Sequence, residues 1–259
     1  MYSDGMWKEY ELHNTLYSHW RIGELELWIR KKDEVSIAWN IFPPDSASES
    51  TASYSLSKKA PEDLLWHRFA GLLPDSILLK PTLPTLPFFV RLKTPLHILP
   101  GGETSFSVQL PLSVSICMPN GKTLIEIPLF RLSKAWFGDM ESGILCYSFT
   151  SEVFPDTERQ NVRATPDRTL SSLTVKSQSK GMLDINDITI YTEGLNILSR
   201  ANSLYTDWMI FSFDTEGDLK LTIRDRNTYF LKDAQIVSPA RYSAGETLIR
   251  KYVDFFKKI

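Results

Sequence analysis

Residues 105–130 read SFSVQLPLSVSICMPNGKTLIEIPLF, and this stretch carries the clearest structural pattern in the sequence. Along its first half, apolar side chains occupy every second position: Phe106, Val108, Leu110, Leu112, Val114 and Ile116. Because successive side chains of a strand point to opposite faces, the alternation predicts a long strand with one buried face. Pro111 has no amide hydrogen to donate, which predicts an edge position or a bulge at that point.

The same stretch predicts a hairpin. Asn120-Gly121 supplies two residues that tolerate positive φ, as a type I′ turn requires. Alternation resumes after the turn with Thr123, Ile125, Ile127 and Leu129. We therefore predict that 105–117 pairs with 122–130.

Two further segments show alternation on both sides of a turn, and they predict the hairpins 24–31/34–41 and 207–213/218–224. The fold class that follows is mainly β, with antiparallel β-sandwich-like units. Trp28 and Trp208 each fall on the face opposite the main apolar set of their strand, so both are expected to pack against a second layer or a partner.

Helical periodicity is clearest at the C-terminus. Ser243 and Glu246 have the spacing of a capping box, and one apolar stripe follows: Leu248, Ile249, Tyr252, Val253, Phe256 and Ile259. The pattern predicts one C-terminal amphipathic α-helix that docks on the β core or on a second subunit. The alternative is that the helix contacts a membrane surface through its basic side chains, which are Arg250, Lys251, Lys257 and Lys258.

A length of 259 residues predicts one large domain or two small ones. Residues 43–60 are rich in Ser, Ala and Pro without apolar periodicity and predict a linker. The expected division is 1–72 for N-terminal hairpins and linker, 73–155 for a β-sandwich-like unit, and 156–259 for C-terminal hairpins plus helix. The first and last segments could form one unit together. A single larger sandwich is the alternative.

Charge and cysteine content limit the partners and the compartment. A net charge of −2 argues against a nucleic-acid partner. The visible N-terminus has no secretory signal and no window is apolar enough for a membrane span, which predicts a cytoplasmic protein. Cys117 and Cys146 are therefore expected to be reduced, with at least one buried. The four histidines lack metal-ligand spacing, so neither a metal nor a cofactor is predicted.

One further segment carries a family pattern. Residues 132–147 read LSKAWFGDMESGILCY, 95–102 read PLHILPGG, and 23–27 read GELEL. Over residues 20–41 and 75–150 the chain resembles an uncharacterised prokaryotic family known as domain of unknown function 432. The resemblance implies a bacterial or archaeal protein and brings no assigned activity.

The same segment holds four of the candidate site residues, Trp136, Asp139, Glu141 and Cys146, and the fifth, His97, lies in the stretch 95–102. The two carboxylates could serve as an acid–base pair, and the thiol as a nucleophile beside an aromatic wall. The interpretation we favour is a turn before a strand, with the cysteine as a small core hydrophobe.

The leading functional hypothesis is a non-catalytic β-sandwich binding or interaction module for a protein or a small ligand. A homo-oligomer is an additional possibility. One alternative is a hydrolase that uses carboxylates in the 136–146 loop. Another is a peripheral membrane or membrane-protein accessory factor. A concave pocket joining carboxylates and a histidine would favour the enzyme, and a flat apolar patch would favour the binding module.

Overall fold

A computed structural model describes residues 6–43, 51–71, 73–137, 143–201, 203–215, 219–224 and 231–242. Of these residues, 58% lie in strands and 3% in helical structure, so the prediction of a mainly-β protein is confirmed. The helical residues form one 3₁₀ turn, Asp156–Asn161, and no described helix is long or apolar enough to cross a bilayer. The predicted C-terminal helix, from Ser243 to Ile259, lies outside the described residues.

The described residues form two compact units, and unit 1 comprises those within Met1–Thr82, Pro111–Arg131 and Ala164–Arg168. It contains a five-stranded sheet in the order β5-β2-β3-β4-β6 and a four-stranded sheet in the order β1-β7-β10-β11, both antiparallel. The strands are β1 (Glu9–Glu11), β2 (Tyr17–Ile22), β3 (Leu25–Lys31), β4 (Val35–Ile41), β5 (Ala52–Ser57), β6 (His67–Phe69), β7 (Ser76–Thr82), β10 (Ser113–Cys117) and β11 (Thr123–Pro128).

Unit 2 comprises the described residues within Leu83–Leu110, Leu132–Arg163 and Thr169–Ile259. It contains a four-stranded sheet in the order β12-β13-β8-β16 and an eight-stranded sheet in the order β14-β9-β15-β18-β17-β21, in which β19 pairs with β15 and with β20. The strands are β8 (Phe88–Ile98), β9 (Glu103–Pro111), β12 (Ser133–Phe137), β13 (Ile144–Ser151), β14 (Phe154–Pro155), β15 (Arg168–Ser177), β16 (Leu183–Ile190), β17 (Ile197–Arg200), β18 (Ser203–Thr206), β19 (Met209–Phe213), β20 (Leu219–Ile223) and β21 (Gln235–Ser238). As a division into folding domains, 1–72, 73–155 and 156–259 stays a prediction.

The two hairpins predicted outside the opening stretch are confirmed. β3 and β4 are antiparallel with Trp28 opposite Ala38, and β19 and β20 are antiparallel with Phe211 opposite Leu221. Both follow from local alternation on either side of a short turn, which needs no information from the rest of the chain.

The predicted long strand 105–117 is wrong as a single element. It is divided into β9, in the eight-stranded sheet of unit 2, and β10, in the four-stranded sheet of unit 1. Pro111 cannot donate to a ladder, and the N–H of Leu112 donates to the carbonyl oxygen of Asp167 at 2.9 Å. Neither Pro111 nor Leu112 therefore donates a backbone hydrogen bond to a neighbouring strand, and the chain passes from one sheet to the other. The pairing of β10 with β11 is antiparallel, as predicted.

The turn between β10 and β11 is also different from the predicted type I′. Gly121 has φ +86°, whereas Asn120 does not have positive φ. The N–H of Gly121 donates to the carbonyl of Met118 at 2.8 Å, so Pro119 is the first central residue of that turn. Proline sets φ near −65°, which a type I turn requires and a type I′ turn excludes. The loop is therefore a type I turn followed by a glycine bulge.

Unit 2 mixes parallel and antiparallel pairs, so the predicted antiparallel arrangement holds only in part there. β13 runs parallel to β8, and β15 runs parallel to β18 and β19. Parallel neighbours such as Tyr147 and Phe88 are far apart in sequence and leave no turn signal between them.

Both out-of-pattern tryptophans are buried, by contacts within their own sheets and with a loop; packing on a second layer or on a partner stays a prediction. Trp28 is 7% exposed and clusters with Ala38 and Leu64. Trp208 is equally buried, and its Nε1–H donates to Thr174 Oγ1 at 2.9 Å. In each case a loop or a neighbouring strand covers the face that alternation alone assigns to solvent.

Candidate functional site

Trp136 lies on β12, at the edge of the four-stranded sheet as described, and stands directly opposite Leu145 on β13. Their side chains are 56% and 39% exposed. Opposed residues of an antiparallel pair share one face, so the two form a contiguous apolar surface. We call these two residues the Trp136–Leu145 pair.

This face becomes progressively more buried towards β8. Tyr147 and Phe149, the next residues of β13 on the same face, are half-buried. The Phe149 ring lies 5.3 Å from that of Phe88, which is fully buried. The Trp136–Leu145 pair is therefore the exposed margin of an apolar face whose other end belongs to the core of unit 2.

Cys146 projects to the opposite face of β13 and is fully buried. Its thiol donates weakly to the carbonyl of Ile144 at 3.8 Å. Burial raises the pKa of the Cys146 thiol from an ordinary 9.0 to about 11. Since the thiolate is the nucleophile, this cysteine is unsuited to nucleophilic catalysis at neutral pH. Cys117 is also a free, buried thiol, so the prediction of buried cysteines is confirmed.

His97 lies far from Cys146. The N–H of Tyr147, the residue after Cys146, donates to the carbonyl of Pro87 at 2.9 Å, just before β8 begins. His97 is near the other end of β8, and at about 3.3 Å per residue the separation along the strand is roughly 30 Å. There its Nδ1–H donates to Asp184 Oδ1 at 2.6 Å on an exposed surface. The structure does not bring the thiol and the imidazole together.

The two predicted carboxylates, Asp139 and Glu141, lie outside the described residues. Of the five predicted site residues, the structure thus places Trp136 and Cys146 on adjacent strands with their side chains on opposite faces. His97 is separate from both. Among the predicted site residues that the structure describes, Trp136 is the one whose exposed side chain continues an apolar surface.

A different set of polar side chains meets in unit 1, on three adjacent strands of the five-stranded sheet. Ser55 is on β5, His19 on β2 and Glu26 on β3. The Oγ of Ser55 lies 3.4 Å from Nδ1 of His19, and Nε2 of His19 lies 3.0 Å from Oε1 of Glu26. We call these residues the Ser55–His19–Glu26 chain.

The hydrogen-bond roles in this chain follow from the chemistry of its groups. An ionised carboxylate only accepts, so Nε2 of His19 must carry the hydrogen that is donated to Glu26. In a neutral imidazole, Nδ1 is then an acceptor and faces the Ser55 hydroxyl. The His19 ring stacks on Trp28 with centroids 3.9 Å apart and planes 17° from parallel, which holds the imidazole in this orientation.

Comparison with known proteins adds the family. The sequence model of a family described as protein of unknown function, DUF432, matches residues 6–257. The chain belongs to the DUF432 family. The resemblance predicted over 20–41 and 75–150 is confirmed and extends over nearly the whole chain. No curated protein and no solved structure matches. The prokaryotic source and cytoplasmic location of this DUF432 chain stay predictions.

The Ser55–His19–Glu26 chain of the DUF432 protein was missed because its residues are 7 and 36 positions apart in sequence. Ser55 belongs to the segment 43–60 that composition predicts to be a linker, whereas 52–57 forms β5 and pairs with β2. One usable signal existed: His19 and Glu26 both occupy polar positions around the Gly23-Glu24 turn. Within the described ranges, no three His, Cys, Asp or Glu side chains lie close enough to hold a metal ion.

Proposed function

We propose that this DUF432 protein is a binding or interaction module of β-sandwich-like units, and that unit 2 holds its partner at the Trp136–Leu145 pair without reacting with it. The observation that carries the proposal is the 56% exposed indole of Trp136 directly opposite a 39% exposed leucine. Single exposed hydrophobics are common on protein surfaces, but adjoining ones that continue a core face are typical of interaction sites.

The chemistry around the pair supports binding rather than catalysis at this place. The nearest thiol, on Cys146, is buried on the other face of the sheet with a raised pKa. His97, the histidine among the candidate site residues, lies roughly 30 Å away along β8. The described residues around Trp136 thus offer a large apolar contact and no activated nucleophile.

The sandwich-like architecture is supported by contacts between the two sheets of unit 1. Tyr10 of the four-stranded sheet packs edge-on against Trp20 of the five-stranded sheet, with ring centroids 5.2 Å apart. Its ring also lies 4.6 Å from that of Tyr54. Side chains that meet between two sheets are the feature that defines a sandwich core.

The partner we propose is a protein that places an apolar side chain on Trp136 and an acidic side chain next to it. Lys134 is exposed, and it lies on the same face of β12 two residues from Trp136. Tryptophan is enriched among the residues that supply most of the binding energy of protein interfaces, and a lysine next to it would favour a partner that carries a complementary negative charge.

Affinity purification with matched variants tests this function. Wild type, Trp136→Ala and Leu145→Ser are compared with the control Leu99→Ser, which truncates a 69% exposed leucine outside the pair. A protein held through the pair is expected with wild type and the control and to be lost with the other two. With the purified partner, Trp136→Ala should weaken binding about 30-fold, the effect of a 2 kcal/mol interface residue. Equal recovery by all four proteins, or recovery no better than from empty resin, refutes the proposal.

A further inference from the structure

We propose that Ser55 is the nucleophile of an acyl-transfer site in unit 1, with His19 as its general base and Glu26 as the residue that positions His19. The substrate class is a carboxylic ester or a similarly activated acyl group. This inference goes beyond the binding function of unit 2 and uses a separate set of residues.

The geometry satisfies the two contacts that an activated serine needs. The hydroxyl must reach the base, and a third group must fix the base in the correct tautomer. Ser55 Oγ lies 3.4 Å from Nδ1 of His19, and Glu26 accepts from Nε2 at 3.0 Å. The first distance is at the long end of a hydrogen bond, as is common in sites without substrate.

Solvent exposure differs along the Ser55–His19–Glu26 chain in the way that catalysis requires. Ser55 is exposed and can be approached by a substrate, whereas His19 and Glu26 keep only 21% and 22% of their side chains exposed. Trp28 below the imidazole is 7% exposed. The base and its positioning carboxylate are therefore held, while the nucleophile stays accessible.

Positive charge is present on the same face of the sheet. Arg21 is exposed and stands opposite both Ser53 on β5 and Glu26 on β3, two residues from His19. A cation next to the reacting group stabilises the negative charge that develops on the carbonyl oxygen during attack. Arg21 is the described residue that best fits this role.

The proposed reaction is balanced with the groups present and water. The Oγ of Ser55 forms a bond to the acyl carbon, and its proton passes to Nδ1 of His19. The bond from the acyl carbon to the leaving oxygen breaks, and that oxygen takes the proton from His19. Water then attacks the acyl carbon while Nδ1 of His19 takes a proton from it. The bond from the acyl carbon to Oγ of Ser55 breaks and Oγ takes that proton from His19, which releases a carboxylic acid and restores the Ser55 hydroxyl.

A fluorophosphonate probe tests the proposal on the full-length chain. Attack by Ser55 forms an Oγ–P bond and expels fluoride, which leaves a stable adduct that peptide mass spectrometry can assign. Ser53 and Ser57 are matched internal controls because they lie on the same strand and face without a histidine contact among the described hydrogen bonds. Labelling is expected at Ser55 of the wild type, to persist in Ser53→Ala, and to be lost in Ser55→Ala.

The base and the positioning residue have separate tests. His19→Gln should lower the labelling rate of Ser55 at least 100-fold, the usual contribution of a general base. Glu26→Gln should slow labelling, and Glu26→Asp should restore much of the rate because it keeps the accepting carboxylate. A role that is only structural would change the melting temperature without this rescue.

The proposal is overturned if wild-type protein labels at Ser55 no faster than at Ser53. The Ser55–His19–Glu26 chain is then only a set of structural hydrogen bonds between strands. Because the wild type is the test molecule, misfolding of a variant does not obscure this result. Turnover of 4-nitrophenyl acetate, lost in Ser55→Ala and retained in Ser53→Ala, provides a second measurement. Neither result depends on Trp136, so this inference and the binding function can fail independently.

Discussion

Gly23→Ala is expected to lower the free energy of unfolding by roughly 2–5 kcal/mol. Gly23 forms the turn between β2 and β3 and has φ +55°, a conformation that L-residues avoid. A Cβ at this position would meet the side chain of Asp167, with Cγ at 2.9 Å and Oδ2 closer still. Asp167 is only 3% exposed, and its backbone carbonyl accepts from the N–H of Leu112, so it has little freedom to move.

Two contributions make up the expected loss. The left-handed conformation costs an alanine about 1–2 kcal/mol, and inserting a methyl group into a filled space costs about 1–3 kcal/mol. Gly121→Ala isolates the first contribution, because Gly121 has φ +86° and a Cβ there would have nothing within 4 Å. The difference between the two variants therefore measures the contact with Asp167.

Urea unfolding followed by tryptophan fluorescence and by circular dichroism measures both variants. Gly23→Ala should be the less stable by about 1–3 kcal/mol, and Asp167→Ala in the same chain should recover part of that difference. If Gly23→Ala and Gly121→Ala lose the same stability, the close approach of Asp167 to Gly23 is wrong.

Two further outcomes follow from burial of ionisable groups. At pH 8 Cys146, with its pKa raised to about 11, should have about 100-fold less thiolate than a thiol of pKa 9.0. It should therefore react with iodoacetamide only after unfolding. Rapid alkylation of the folded protein would contradict this. Burial raises the pKa of Asp187, an effect partly opposed by Arg91, so the folded state favours the neutral acid. Asp187→Asn should therefore increase stability towards urea at pH 7. The gain should shrink as the pH falls through the raised folded pKa towards the ordinary 3.8, and a gain that does not change with pH would rule out this cause.

Sequence patterns predicted the hairpins. They gave the wrong local structure where a single residue sets the turn type or where a strand lacks apolar alternation. The alternation of 24–31 and 34–41 is local, so the pairing of β3 with β4 could be predicted from it. Pro119 decided against the type I′ turn that Asn120-Gly121 suggests, since its φ suits a type I turn. β5 was not predicted because its serines give no apolar alternation, and only pairing with β2 makes the segment a strand.

The candidate surfaces show the same division. Trp136 could be singled out from its family pattern, but its exposure depends on β12 lying at the edge of the described sheet. Cys146 and His97 fall in the same predicted unit, 73–155, but the parallel register of β13 on β8 places them far apart.

The sequence alone determined the strand periodicity, the mainly-β class, the paired hairpins and the family, because each depends on residues close together in the chain or on direct sequence likeness. That β9 and β10 join different sheets, and that Ser55, His19 and Glu26 meet, became known from the three-dimensional structure. The physical reason is that strand order depends on which distant segments bury their apolar faces together. That choice is made by the whole chain and leaves no periodic signal at the residues it brings into contact.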